Sequence, residues 1–434
     1  MTATDPVQPP GEAAPEILEG RIWVDGCFDF FHHGHAGAIV QARQLGDELY
    51  VGVHSDEAIL ENKGPTVMTL DERMAAVDAC RWVTQSVSRA PYVTDLGWIS
   101  HYGCKYVVHG DDITSDSSGE DCYRFVKEAG RFRVVKRTPS ISTTDLVGRM
   151  LLCTRTHFIR SLEKALAGLE GSGTAEEKKE AGEAMTERMR LYATDASAKR
   201  PGADVYFWAA SQEAKATDSE EERGSFRQLF DGPGPKPGQR IAEEEAARGR
   251  GWYEEKAVAG RVSLAGVDYA PAFVVAGVHD DDVINQWKGV NYPIMNIYER
   301  VRELGRFRRT ILAYQAIPDR PPSGTPDVVY HGPTSFMPLT YDPYTAPKEM
   351  GIYQEIGAHS YEDVNAGTIV QRIMKSRDVY EARQRAKGVK AEVEAAHRER
   401  ELLEQEQLRK EAERGARSTA SRLGNEERKE MQER

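Results

Sequence analysis

The sequence predicts an α/β protein: a Rossmann-like, doubly wound parallel sheet, duplicated, with a degenerate or incomplete second lobe and a charged helical C-terminal tail. Three observations predict it. From Arg21 to about Leu152, short apolar strands alternate with helical patterns, the rhythm of a parallel sheet covered on both faces. Blocks of that stretch recur in the same order after residue 270. Beyond residue 376 the chain is dominated by Glu, Lys, Arg, Gln and Ala with few large apolar side chains.

Residues 1–19 are polar and Pro-rich and read as a flexible arm, without the basic-then-apolar layout of a signal peptide. The first unit spans 20–155. Its predicted strands are Arg21–Asp25, Glu48–His54, Thr84–Arg89, Lys105–His109 and Arg133–Lys136. Its predicted helices are about Gly34–Leu45, Leu70–Val83, Asp95–His101, Gly119–Ala129 and Asp145–Cys153. Thr69-Leu-Asp-Glu72 is a capping box that opens the second of these helices. Residues 156–239 read as a linker region. It holds a charged helical stretch (Glu176–Arg190), the apolar run Ala203–Ala210 and the Gly/Pro-rich segment 232–239.

The second unit, 240–375, echoes the first. Gly277-Val-His-Asp280 parallels Gly52-Val-His-Ser55, and the segment Lys288–Arg300 parallels Lys63–Arg73. Val328–Gly332 parallels Tyr106–Gly110, and Asp363–Arg372 loosely parallels Ser142–Arg149. Where strand one and its histidine loop should repeat, the chain reads Ile241–Gly251 with no His-x-Gly-His after it, and residues 301–323 do not match Ala75–Arg89; a central strand and its crossover helix therefore read as lost. Either the lobe is degenerate and kept for packing or regulation, or the reading frame is misjoined at Ile241–Ala272 and Val301–Pro322. The tail, 376–434, reads as a solvated helix or a partly disordered segment.

Of 434 residues, 40% are hydrophobic and 29% charged, which suits a globular protein with polar appendages. A net charge of −12 argues against a broad nucleic-acid surface. The five cysteines show no metal-ligand spacing, and their odd number argues against a disulfide framework. No apolar run is long enough to span a bilayer. The expectation is a cytoplasmic, reducing location.

The densest chemical signal is His32-His33-Gly34-His35, set between a strand and a helix. A helix N-terminus presents unpaired N–H groups and attracts phosphate, and imidazoles there can donate to oxygens as charge builds. A zinc site would want further ligands, and none is obvious. Lys63, in a loop before the capped helix, can place a point charge on phosphates; a solvated loop lysine is the ordinary alternative. Arg137–Asp145 joins the last strand to a helix, and its hydroxyls, Ser142 and Thr143 among them, make a phosphate cradle or simply cap the helix. His109-Gly110-Asp111 ends the fourth strand on the rim where ligands bind. Asp25, Tyr92 and Tyr123 lie near the same rim, where a carboxylate and aromatic faces suit a small ammonium group.

These residues resemble the cytidylyltransferase family. The family's His-x-Gly-His matches His32, Gly34 and His35, and its substrate-loop lysine matches Lys63. Its Arg-Thr-Glu-Gly-Ile-Ser-Thr-(Ser/Thr)-Asp signature matches Arg137–Asp145, with Pro139 and Ser140 in place of Glu and Gly. The match is dense over 20–153 and patchy over 270–375. Two lobes, and no basic amphipathic helix with a continuous apolar face, resemble the branch that uses phosphoethanolamine rather than phosphocholine.

The resemblance implies transfer of cytidylyl from CTP to phosphoethanolamine, with Mg2+ accompanying CTP and no metal site of the protein's own. It implies that His32, His35 and Lys63 are catalytic. It places Cys27, Phe28, Asp29, Gly34, His109, Gly110, Asp111, Arg137, Thr138, Ile141, Ser142 and Thr143 around CTP. Asp25, Lys63, Tyr92 and Tyr123 fall around phosphoethanolamine. Peripheral contact with the endoplasmic reticulum and oligomerisation are compatible with it. The open alternatives are another phosphorylated acceptor (phosphocholine or glycerol 3-phosphate) and a catalytically impaired regulatory scaffold. A class I aminoacyl-tRNA synthetase shares the histidine logic, but its second lysine motif is not seen.

Overall fold

The computed structural model describes residues 16–111, 114–139, 141–153, 155–202, 205–210, 224–228, 262–264, 267–269, 276–289, 292–306, 311–314, 328–332, 342, 344–357, 359–382 and 385. The N-terminal arm before residue 16, the segment 232–239, the expected Ile241–Gly251 block and most of the tail lie outside these residues.

The first unit is built on β1 (Leu18–Gly26), β2 (Glu48–His54), β3 (Gln85–Ala90), β4 (Cys104–Gly110) and β5 (Phe132–Val135). All are parallel, in the order β3-β2-β1-β4-β5. The chain winds outward from β1 through β2 and β3, then returns to the other side of β1. The switch point therefore lies between the C-terminal ends of β1 and β4, where an open α/β sheet forms its ligand crevice.

Both faces of the sheet are covered, as the apolar strands require. Successive residues of β1 point to opposite faces. Ile22 and Val24 pack with Ile39, Leu49, Val51 and Trp82, whereas Trp23 packs with Ile99, Val107 and Val126. The helices are α1 (His33–Gln44), α2 (Asp56–Lys63), α3 (Leu70–Asp78), α4 (Leu96–His101), α5 (Arg124–Glu128) and α6 (Thr143–Leu152).

Helix α2 corrects the expectation that Lys63 lies in a loop. Ser55 caps its start by accepting from the Ala58 N–H, and Gly64, at φ +91°, ends it just after Lys63. The expected helix to Val83 stops at Asp78, because Ala79–Val83 turn back to feed β3.

After α6 come α7 (Leu162–Leu166) and α8 (Ala175–Tyr192). Next are β6 (Val205–Ala210), β7 (Gly224–Gln228), β8 (Val262–Leu264), β9 (Val267–Tyr269) and β10 (Ala276–His279). Then follow α9 (Asp281–Lys288), α10 (Ile297–Gly305), β11 (Ile311–Tyr314), β12 (Val329–His331), α11 (Thr345–Glu349), β13 (Tyr353–Glu355) and α12 (Ala366–Lys375).

A second sheet runs β10-β11-β6-β7, with the first three strands parallel and β7 antiparallel. This corrects the linker assignment. The apolar run at 205–210 is a strand of the second sheet, flanked by β11 and β7. Leu162 and Met189, from the same supposed linker, pack with Val205, Val278, Ile297 and Val301.

The duplication reaches individual contacts. The His109 and Tyr123 rings lie 4.6 Å apart, and those of His331 and Tyr344 lie 4.5 Å apart. Gly64 and Gly289 close α2 and α9 at φ +91° and +95°. Arg73 pairs with Asp56 at 2.7 Å, and Arg300 with Asp281 at 2.6 Å. Residues from Arg377 onward form a separate unit. Among the described residues, no helix is long and apolar enough to cross a membrane.

The first core makes a direct prediction. Leu49 is fully buried at the centre of the sheet. Leu49→Ala should cost about 2–5 kcal/mol, seen as a lowered melting temperature by circular dichroism.

Candidate active site

The histidine loop is built by backbone geometry before side chains act. Leaving β1, the chain passes through left-handed conformations at Phe28 (φ +49°) and Phe30 (φ +50°), which non-glycine residues adopt rarely. The buried Phe28 and Phe31 rings stack 6.1 Å apart, and both lie against His35 at 5.5 and 5.4 Å. The chain then enters α1 with His32 as its N-cap.

His32 Nδ1 accepts the Gly34 N–H at 3.1 Å, while His35 Nδ1 receives the His32 N–H at 3.3 Å. The two rings stack at 3.9 Å. Each Nδ1 is thus an acceptor, so each neutral ring carries its proton on Nε2 and can donate it. His32 Nε2 is buried and has no partner among the described residues.

Burial, and then the neighbouring His35, hold His32 well below the ordinary histidine range. Burial, with Lys63 and Arg306 nearby, depresses His35 to about 3. His33 is depressed to about 2, mainly by burial, with Arg302 and Arg149 adding to it. The loop therefore holds uncharged imidazoles within the fields of exposed Lys63 and Arg137.

Three loops meet at this point. A Cβ on Gly34 would lie 2.8 Å from the His32 ring and from Ile141 Cγ2, so only glycine lets the histidine loop and the Arg137–Asp145 segment approach so closely. Ser142 caps α6 by accepting the Asp145 N–H at 3.1 Å. Thr143 donates its hydroxyl to the Asp29 carbonyl at 2.8 Å. The buried Asp29 carboxylate accepts N–H groups from Val67 and Met68, in the segment that follows Lys63. The Asp29 side chain, expected at the nucleotide, ties the lysine segment to the histidine loop. The Cys27 carbonyl accepts from Arg73 at 2.7 Å. Buried Thr138 lies against Gly37 and Tyr192, and the Arg137 N–H donates to Asp111 at 3.3 Å. Of the replaced signature positions, Pro139 is described and exposed, and Ser140 lies outside the described residues.

On the other side of the switch point, buried Asp25 accepts from Trp23 Nε1 (2.8 Å), Thr94 (2.7 Å) and Tyr123 (2.9 Å). Burial, with Asp25 beside it, raises the Tyr123 hydroxyl well above its usual range, so it stays protonated and donates. His109 stacks on Tyr123, and its Nδ1 lies 3.2 Å from the Gly110 carbonyl. Tyr92 packs on His54 at 5.0 Å, and His54 Nδ1 lies 3.1 Å from the Ala90 carbonyl. Asp25 and Tyr123 thus touch directly, and Tyr92 belongs to the same buried cluster as Tyr123.

Sequence reasoning missed Trp23, Thr94, His54 and Arg73, all of which hold this rim. It also missed Tyr192, whose hydroxyl donates to the His33 carbonyl from α8. A buried polar residue within an apolar run was the available signal, and Arg73 and Thr94 fit it.

A family model for cytidylyltransferase-like proteins matches residues 23–149. Ethanolamine-phosphate cytidylyltransferase of Mus musculus is 36% identical over 394 residues, covering 85% of this chain and 89% of the mouse protein. The protein of the same name from Dictyostelium discoideum is 35% identical, covering 85% and 95%. Choline-phosphate cytidylyltransferase 2 of Arabidopsis thaliana is 37% identical, but over only 39% of this chain and 57% of its own.

The depressed histidines set the pH dependence of stability. In the unfolded chain His33 and His35 return to about 6.5. Between about pH 3 and 6.5 the unfolded state therefore binds more protons than the folded one. Their contribution is complete above about pH 6.5 and is lost as pH falls. The melting temperature should drop between about pH 7.5 and 5, and His33→Gln should shrink that drop.

Proposed function

This chain belongs to the ethanolamine-phosphate cytidylyltransferase family, and from that premise we infer that it transfers the cytidylyl group of CTP to phosphoethanolamine, giving CDP-ethanolamine and pyrophosphate for phosphatidylethanolamine synthesis. A phosphate oxygen of phosphoethanolamine attacks the α-phosphorus of CTP in line. The bond from that phosphorus to the bridging oxygen of the β-phosphate breaks, and pyrophosphate leaves. No covalent enzyme intermediate is needed, so catalysis is positioning and charge stabilisation.

The observation that carries this reading is the stacked His32–His35 pair, neutral and each with an Nε2–H to donate. We assign both to the triphosphate, where their donation strengthens as charge moves onto the departing pyrophosphate. Lys63 bridges the phosphates of the two substrates. Arg137, Thr138, Ile141, Ser142 and Thr143 hold the β/γ end. The Cys27–Phe28 backbone and Gly34 lie along the nucleotide, and His109, Gly110 and Asp111 lie toward ribose and base. Asp29 serves these contacts by holding the loops.

The amine of phosphoethanolamine is assigned to Asp25, Tyr92 and Tyr123. Asp25 already accepts three protein donors, yet its two oxygens have capacity for about four. A primary ammonium can donate to it, whereas a quaternary one cannot. This supports phosphoethanolamine over phosphocholine.

Among the described residues, no three carboxylates, histidines or cysteines converge as a metal site. Mg2+ accompanying CTP would supply neutralisation of phosphate charge beside Lys63 and Arg137. All five cysteines are free, which supports a reducing, cytoplasmic location. Peripheral contact with the endoplasmic reticulum and self-association belong to the same proposal. The domain limits are proposed as one catalytic unit from about 20 to 155 and a second unit that begins before Val205.

Pyrophosphate release with CTP and each acceptor tests the reading. Phosphoethanolamine should be turned over in preference to phosphocholine and glycerol 3-phosphate; no release with any acceptor would point to a regulatory scaffold. His35→Ala should lower kcat by about 100-fold or more, the scale of one lost transition-state donor. Lys63→Ala should raise KM for phosphoethanolamine, and an unchanged KM would return Lys63 to the status of a solvated side chain.

A further inference from the structure

The contacts between the two units are reciprocal. Arg372, on α12 of the second unit, grips Glu72 with both terminal nitrogens, at 2.7 and 2.8 Å. One of those nitrogens also lies 3.4 Å from the Val67 carbonyl. In the opposite sense Arg149, on α6 of the first unit, grips Glu299 at 2.7 and 2.9 Å and donates to the Ile294 carbonyl at 3.0 Å. Glu72 and Glu299 occupy the same place in the repeat, as do Val67 and Ile294. Each glutamate also completes a capping box, on Thr69 or Asn296.

Both clamps bear on the first unit's site. Segment 64–69 carries the chain from Lys63 to α3. The first unit holds it through Asp29 on the Val67 and Met68 N–H groups and through Arg73 on the Met68 carbonyl. Arg372 holds it from the second unit. The Glu72 carboxyl is held below its usual range chiefly by that arginine, so the pair stays ionised. Fork-to-carboxylate pairs of this kind fix orientation as well as distance. The Arg149–Glu299 pair is largely buried and secures α6, the helix that begins at the Ser142–Thr143 cradle.

We propose that Arg372 and Glu299 are positioning residues for the first unit's chemistry. Arg372 sets the lysine segment through Glu72 and the Val67 carbonyl, and Glu299 sets the Ser142–Thr143 cradle through Arg149. The inference rests on the assignment of Lys63 to phosphoethanolamine and of the cradle to CTP. A site whose loop is correctly placed only part of the time binds more weakly by that fraction. Lys63 reaches the phosphates of both substrates, but CTP keeps the histidine pair and the cradle as well, so the Arg372 clamp weighs mainly on phosphoethanolamine and the Glu299 clamp on CTP.

The test uses the full chain, with both substrates varied. Arg372→Ala should raise KM for phosphoethanolamine about tenfold while KM for CTP stays within about twofold. Glu299→Gln, which keeps an oxygen for the cap, should do the reverse by about fivefold. Arg372→Lys should recover part of the loss. In Arg372→Ala the Val67 and Met68 amides should exchange with deuterium about tenfold faster while the β1 and β2 amides are unchanged.

Equal shifts of both KM values in each variant, as general loosening would give, would overturn the proposal. So would unchanged exchange at Val67 and Met68 in a variant that melts like the parent. If the parent protein forms no CDP-ethanolamine, the functional reading fails instead, and the exchange measurement still decides the clamp.

Discussion

The Asp29 carboxylate, buried just after the central strand, has to find donors or pull the loop apart, because a desolvated charge without hydrogen bonds is too costly to keep. It finds them on Val67 and Met68, while its own carbonyl takes the Thr143 hydroxyl. One residue thereby references the lysine segment and the α6 cradle to the histidine loop. The left-handed turns at Phe28 and Phe30 that flank it are tolerated because stacked rings and these hydrogen bonds over-determine the path. Without this knot, Lys63, His35 and Ser142 would hang from separate elements with no common frame.

Around that frame the charges are sorted by depth. The imidazoles are neutral, with His32 and His33 buried and His35 half-buried, and the Lys63 and Arg137 side chains sit at the exposed edge. In the triphosphate assignment proposed above, the outer cations draw the polyanion and the inner donors orient it without a proton change. Tyr123 and Asp25 follow a similar rule on the other side of the sheet. The phenol is held protonated so that it donates, and the carboxylate is left as the acceptor.

Much of this could be read from residue order. The five strands of the first unit follow from apolar runs, and α3 from its Thr69–Glu72 capping box. The histidine loop follows from three imidazoles and a glycine at a strand-to-helix junction. What escaped was governed by tertiary contact. Helix α2 has little apolar periodicity and is fixed by caps at Ser55 and Gly64, so Lys63 read as loop. Strand β6 was hidden because its parallel partner, β11, arrives about one hundred residues later in the chain. Tyr192 looks like an ordinary end of an amphipathic helix until the fold carries it beneath His33. Asp29 reads as a nucleotide-binding acid, and only the fold shows that it also holds the Val67 and Met68 amides.

The Arg–Glu exchange between the units has a further consequence. A contact in which each side offers the same grip is the kind that two identical copies form about a two-fold axis. Here both halves belong to one polypeptide, so their encounter is intramolecular and its effective concentration is set by the connecting chain. An association of separate chains would loosen on dilution; this one is indifferent to how much protein surrounds it. Tethering also releases the halves from identity. One could surrender its histidines and keep its arginine, which leaves a partner that serves as a fixture while its neighbour does the chemistry.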